Sequence, residues 1–196
     1  MSTKRIFVLN GHPAATSLTK TIAETYVAAA RKAGHEVRLT HLHDLDFDTD
    51  YGFAGYAQNK PLEPCLEAVQ ADIEWAQHVV MTTPMWWGGL PGKLKGLFDR
   101  VLLPGWAFDT RKLTMGMPQP MLKGRSARAI VTSDTPDFFF ALLYRKALFR
   151  QIKGQIFQFI GLKPVKLTHF APAGKATPDK VKKWLGKVEA IAGEGA

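Results

Sequence analysis

The chain has little cysteine, few acids and no long apolar run. Its one cysteine, Cys65, excludes an internal disulfide and suits a reducing compartment. No uninterrupted apolar stretch approaches the roughly 20 residues of a membrane span. The apolar part after Met1–Arg5, "IFVLNG", is too short for a signal-peptide core, and no small-residue cleavage site follows it. The expectation is a soluble cytoplasmic protein with no integral membrane segment. Acids number 17 against 26 Lys and Arg, for a formal charge of +9. Such a balance fits a nucleic-acid partner, an anionic ligand or a solvated surface. The basic residues are spread along the chain, and "DKVKKWLGK" near the C-terminus has the spacing of a solvated helix face. With no helix-turn-helix, zinc-finger or RNP pattern, no nucleic-acid partner is expected. Neither G-x-G-x-x-G nor G-x-x-x-x-G-K-[ST] occurs, which removes the dinucleotide fingerprint and the P-loop.

What is present is an ordinary apolar fraction, 46%, arranged as alternating strands and helices over 196 residues. "RIFVLNG" (5–11), "HEVRLTHL", "HVVMTTP", "RSARAIVTSD" and "KPVKLTHFAP" read as five strands. Helices are expected from Ser17, which can cap, to Gly34, from Cys65 to Gln77, and from Pro91 to Leu103. A fourth is expected over Phe138–Phe159, interrupted near Gly154, and a last one begins at Thr177-Pro178. Residues 104–123 read as a loop. Strands that alternate with helices need right-handed crossovers, hence a parallel sheet covered on both faces. The expectation is an α/β fold, a flavodoxin-like three-layer doubly wound sheet of order 2-1-3-4-5. No repeat or linker divides the chain, so residues 1–196 form one domain.

In that order ligands bind beyond the carboxyl ends of the strands, where the winding reverses between strands 1 and 3. The loops there are "NGHPAATS" (10–17) and "TPMWWGGLPG" (83–92), with "TSDTPD" (132–137) beside them. His12, Thr16 and Ser17 stand at the mouth of a helix, where free N–H groups and hydroxyls suit an anion, or where Ser17 simply caps and His12 is incidental. Trp86 and Trp87 offer two flat apolar faces next to Gly88 and Gly89. A planar aromatic cofactor wants such a wall; a core plug is the other reading. Adjacent residues of an extended segment point opposite ways, which argues against one shared core for both indoles.

"TTPMWWGGLPGKLKGLFDRVLLPGWAF" resembles the flavodoxin-like NAD(P)H:quinone oxidoreductase family. Pro84, Trp87, Gly89, Pro91, Leu94, Lys95, Gly96, Phe98, Asp99, Arg100 and Val101 stand at its landmarks, as do Trp106, Ala107 and Phe108. "GHPAATSL", "LHDLDFD" and "KPVKLTHF" resemble its first loop, its second segment and its last strand. The resemblance implies that His12, Thr16, Ser17 and Leu18 hold the phosphate end of a flavin. It implies that Pro84, Met85, Trp86, Trp87 and Gly88 wrap the isoalloxazine, and that Thr132, Ser133, Asp134 and Thr135 meet its other edge. Trp106 and Phe108 would line a substrate pocket across a homodimer interface.

The implied reaction passes a hydride from NADPH or NADH through flavin N5 to a quinone, nitroaromatic or azo compound, with ping-pong kinetics. FAD is slightly favoured over FMN, because the segment from Thr49 to Pro64 is long enough to cover an adenosine end. Two departures from the family pattern stand out. "TSDTP" replaces T-T-G-G, and residues 134–160 hold no histidine, leaving Tyr144 as the one phenol for a catalytic role and no proton relay. The alternatives are a regulatory subunit of a potassium-efflux system and a flavodoxin-type electron carrier. "HLHDLDFDTD" lacks EF-hand spacing and reads as a solvated loop with no metal. Cys65 reads as an inert helix residue, and His35 and His78 as ordinary turn residues.

Overall fold

The structure is a computed structural model, and it describes residues 3–55 and 58–195. Tyr56 and Ala57, within the segment expected to cover an adenosine end, lie outside the described residues. Five parallel strands, β1 (Arg5–Asn10), β2 (Glu36–His41), β3 (His78–Pro84), β6 (Ser126–Thr132) and β7 (Val165–Phe170), form a sheet in the order β2-β1-β3-β6-β7. This is the expected 2-1-3-4-5 order with a two-stranded excursion between the third and fourth parallel strands. The excursion is an antiparallel hairpin, β4 (Phe108–Thr114) and β5 (Met117–Pro120), in the stretch read as loop. Most of β4 is exposed, and its register shifts between Asp109 and Leu113. Beyond the buried Phe108 and Asp109 the strand has no buried residue, so it carries no hydrophobic alternation to read.

The middle strands are apolar because both of their faces are covered. All seven residues of β3 are buried. Ile6, Val8, Val80 and Ile130 pack under α1 (Leu18–Lys32) and α6 (Pro178–Gly193), against Ile22, Tyr26 and Val188. Phe7, Leu9, Met81 and Val131 pack on the other face, against Val69 and Ile73 of α2 (Pro64–Trp75) and Leu97 of α3 (Gly92–Val101). Three shorter pieces complete that layer: α4 (Asp137–Leu142), α5 (Ala147–Arg150) and a π-helix (Gln151–Gln158). The expected break at Gly154 is displaced. Gly154 lies inside the π-helix, and the chain turns instead at Arg145 and Lys146, with φ of 48° and 51°. No described helix is long and apolar enough to cross a membrane.

Pro91 caps α3 rather than opening it. The entry to α3 is tight: a Cβ on Gly11 would sit 2.6 Å from Leu94 Cδ2 and 3.1 Å from the Thr82 carbonyl oxygen. Glycine there lets the loop after β1 lie directly over the start of α3, which fixes the spacing of the two loops that flank the switch point. At the opposite end of the sheet, His35 and His78 are buried, not turn residues on the surface. His78 opens β3 and shares a 2.7 Å hydrogen bond with Ser126 Oγ, while His35 Nδ1 accepts from the Lys4 N–H at 3.3 Å.

Candidate functional site

Three loops meet beyond the carboxyl ends of β1, β3 and β6. The first enters α1. Ser17 Oγ accepts from the Lys20 N–H at 3.1 Å, so the expected cap is formed, and the first turn of α1 carries no acid. Exposed Thr16 lies just before it. His12 is held inside this loop: its N–H donates to Asn10 Oδ1, and its Nδ1 accepts from the Ala14 N–H at 3.0 Å. An accepting Nδ1 leaves the ring proton on Nε2, aimed away from that bond. Burial holds the His12 imidazole below its ordinary pKa, against a smaller upward effect of the Ala14 contact. His12 therefore offers a neutral N–H donor at this mouth and not a positive charge.

The second loop is not extended, which corrects the argument that its indoles point opposite ways. Trp86 and Gly89 exchange both backbone hydrogen bonds, at 3.0 and 2.9 Å, around a two-residue turn. Its central residues, Trp87 and Gly88, both have positive φ, 51° and 74°, which makes it a type I′ turn. Gly88 takes that conformation freely; tryptophan does not. Trp87 is fully exposed and Trp86 nearly half exposed, so neither plugs a core. The Trp86 ring stands edge-on to His12, 5.6 Å between centroids, and joins the first two loops.

The third loop follows β6. The Thr132 carbonyl accepts from the Met85 N–H at 2.8 Å, and Thr132 Oγ1 meets Thr19 Oγ1 of α1 at 3.2 Å. One residue thus ties all three loops together. Ser133 is buried, and its Oγ lies 2.8 Å from Nε2 of His169 on β7. The other nitrogen of His169 is 2.5 Å from Asp137 Oδ1. Sequence reasoning missed His169 and Asp137, because 36 and 32 residues separate the bonded pairs. Only the β6–β7 register, which sets Val131 against His169, brings the ring to the loop.

Trp106 and Phe108 are not at this site of their own chain. Trp106 Nε1 donates to Glu74 Oε1, at the end of α2 that leads into the start of β3. Phe108 is buried edge-on against Phe159, 5.0 Å between centroids. Tyr144 is exposed in the turn after α4. His41 and His43 lie 5.5 Å apart, with His43 paired to Asp44. Among the described residues no group of three or more His, Cys, Asp or Glu is placed to hold a metal. Cys65 Sγ donates to the Asp46 carbonyl.

A family model described as the flavodoxin-like fold matches residues 4–191. The chain belongs to the flavodoxin-like fold family. An FMN-dependent NADH:quinone oxidoreductase of Ruegeria pomeroyi is 32% identical over 147 residues, 67% of this chain and 70% of that protein. NAD(P)H dehydrogenase (quinone) 1 of Rattus norvegicus is 27% identical over 128 residues, 55% of this chain. The match spans about half the length of that relative, 46%. The crystal structure of Smu.1420 from Streptococcus mutans superposes with a TM-score of 0.83 at 28% identity, covering 97% of this chain and 99% of that one. The chain therefore carries the expected flavodoxin-like fold, with an exposed indole pair at the switch point of its sheet.

The side chains at the switch point fit a flavin. The hydroxyls and the acid-free N-terminus of α1 suit a phosphate, the indoles suit a flat ring, and the His12 Nε2–H suits an acceptor.

Proposed function

We propose that the chain is a flavin-dependent NAD(P)H oxidoreductase that reduces quinones or similarly flat nitroaromatic or azo compounds. The observation that carries this reading is the Trp86–Trp87 turn. Two large apolar side chains are held in water, one on a strained backbone, where the winding of the sheet reverses. A bound flavin supplies hydride acceptance and donation; the protein supplies position and electrostatics. Thr16, Ser17 and the first N–H groups of α1 hold the phosphate. Trp86 and Trp87 back the ring, His12 donates to it, and the 132–135 loop bounds its edge. One pocket serving donor and acceptor in turn gives ping-pong kinetics.

FMN is the favoured cofactor, in place of the FAD expected from the sequence. The segment meant to cover an adenosine half is instead drawn onto α3. Arg100, 2% exposed, donates to the carbonyls of Asp48 and Pro61 and to Glu63, and Thr49 packs over Gly96. A relative named as FMN-dependent supports the same choice.

The working form is a homodimer. Phe138, Phe139, Leu142 and Leu143 around α4 and Leu113, Met115 and Met117 of the hairpin are all more than half exposed, apolar side chains that a second copy would cover. Any role of Trp106 and Phe108 in the substrate pocket is then played in the partner's site. Sedimentation of wild type and of Leu142→Glu tests the dimer, with the variant expected to be monomeric.

The first experiment for the function is the visible spectrum of purified protein, as isolated and after FMN is added, followed by anaerobic NADPH or NADH. Flavin bands that bleach on donor addition support the reading. Protein that takes up neither FMN nor FAD overturns it.

A further inference from the structure

One edge of the sheet is β7, and a cleft of about 520 Å³ opens beside it. Elements from both faces of the sheet close on this cleft: Asp137 and Phe140 of α4, Lys146 of the turn after it, Phe149 of α5 and Lys187 of α6. Its inner wall is aromatic. The Phe140 and Phe149 rings meet edge to face at 5.0 Å between centroids, and the His169 ring lies 5.0 and 5.6 Å from them. Its rim is cationic. Lys146 and Lys187 are exposed, and neither ammonium has an ion-pair partner among the described residues. One acid lines the cleft, Asp137, and its Oδ1 is already bonded to His169 at 2.5 Å.

The backbone under Lys146 is strained. Arg145 and Lys146 follow one another in the left-handed region, φ 48° and 51°, which residues with a Cβ disfavour. The Lys146 N–H donates to the Phe140 carbonyl at 2.9 Å and pins the turn against the cleft. A turn that only reversed the chain would do better with glycine or asparagine there. Strain of this kind marks ligand clamps, and two like charges on one rim repel until an anion lies between them.

The cleft adjoins the switch point. Asp137 ends the loop after β6, and His169 bonds Ser133 of that loop at 2.8 Å, so the two sites share a wall. A dinucleotide whose nicotinamide lies on a flavin must lead its other half out past one of the walls. We propose, resting on the flavin reading above, that this cleft binds the adenosine diphosphate half of the NAD(P)H donor. Lys146 and Lys187 meet the phosphates as point charges. The aromatic wall faces the base, as apolar linings do in small-molecule sites. The second carboxylate oxygen of Asp137, on a side chain 77% exposed, accepts from a ribose hydroxyl.

The test is a titration with ADP. Flavin-loaded wild type is expected to bind ADP by calorimetry and to release it as NAD⁺ is added. The double variant Lys146→Gln/Lys187→Gln changes two exposed side chains and is expected to bind ADP roughly 10-fold more weakly, the worth of one or two charge-assisted bonds. In turnover its KM for NADH should rise by a similar factor relative to its KM for dihydronicotinamide riboside, which lacks the ADP half. The inference is overturned if ADP does not bind, if it binds the variant as tightly as wild type, or if inorganic phosphate displaces it at equal concentration. An equal change of KM for both donors overturns it as well. Wild type that takes up no flavin overturns the functional reading instead, and the same ADP titration of flavin-free protein then decides whether the cleft is a nucleotide site.

Discussion

Trp87 carries two costs that a purely structural residue would shed. Its side chain is fully in water, and its backbone sits in the left-handed region at φ 51°. For a residue with a Cβ that conformation costs about 1–2 kcal/mol. Trp87→Gly relieves the strain but enlarges the freedom of the unfolded chain, and the two effects largely cancel. The expected stability, read from urea midpoints, is within about 1 kcal/mol of wild type. Flavin affinity is expected to fall roughly 2–13-fold, the worth of one aromatic stacking contact of about 0.5–1.5 kcal/mol. A large loss of stability with unchanged flavin affinity would make the turn a structural device and remove the argument for a cofactor wall.

Among the elements, α3 does most to organise the molecule around the site. Its start passes under Gly11, and its far end carries Arg100. That guanidinium is buried, and its fork satisfies two backbone carbonyls and the Glu63 carboxylate, holding the long segment before α2 in place. Arg100→Met keeps the volume but leaves those acceptors without their donor. Each such group costs about 1–3 kcal/mol, so a destabilisation of about 3 kcal/mol is expected by chemical denaturation. Limited proteolysis within 48–63 should accelerate in the same variant. If both measurements match wild type, the Arg100 fork is not what anchors the segment.

On the scale of the whole molecule, the buried His78 at the amino end of β3 makes stability depend on pH. Burial first, then the positive charges of Lys4, Arg128 and Lys166 and a contribution of His35, push the His78 imidazole down to about 3. The unfolded chain keeps the ordinary value, 6.5. Above that value the ring is neutral in both states and adds no pH dependence. Below it the unfolded chain binds a proton that the folded chain refuses, so stability falls as pH falls from 6.5 toward 3. For His78 alone the loss between pH 6.5 and 5 is about 2 kcal/mol. His12 and His41, both also lowered, act in the same direction. Urea midpoints should drop across that interval in wild type and drop less in His78→Gln; a flat profile would mean that His78 is protonated in the folded state.

The sequence by itself determined the parallel sheet, its winding and the three loops at the switch point, because each rests on a local signal. Apolar runs mark strands covered on both faces, Ser17 and Gly34 bound α1, and strand–helix alternation leaves few topologies. The tertiary structure alone decided the rest. The β4–β5 hairpin is mostly exposed beyond Asp109 and shows no alternation of buried residues, and the helix after β6 breaks at Arg145–Lys146 rather than at a glycine. The loop after β6 owes its bridge to the pairing of β6 with β7, which sets a histidine on one strand beside a serine that follows the other. Periodicity reports which face a residue turns to the core; it carries no information about which distant side chain will meet it there.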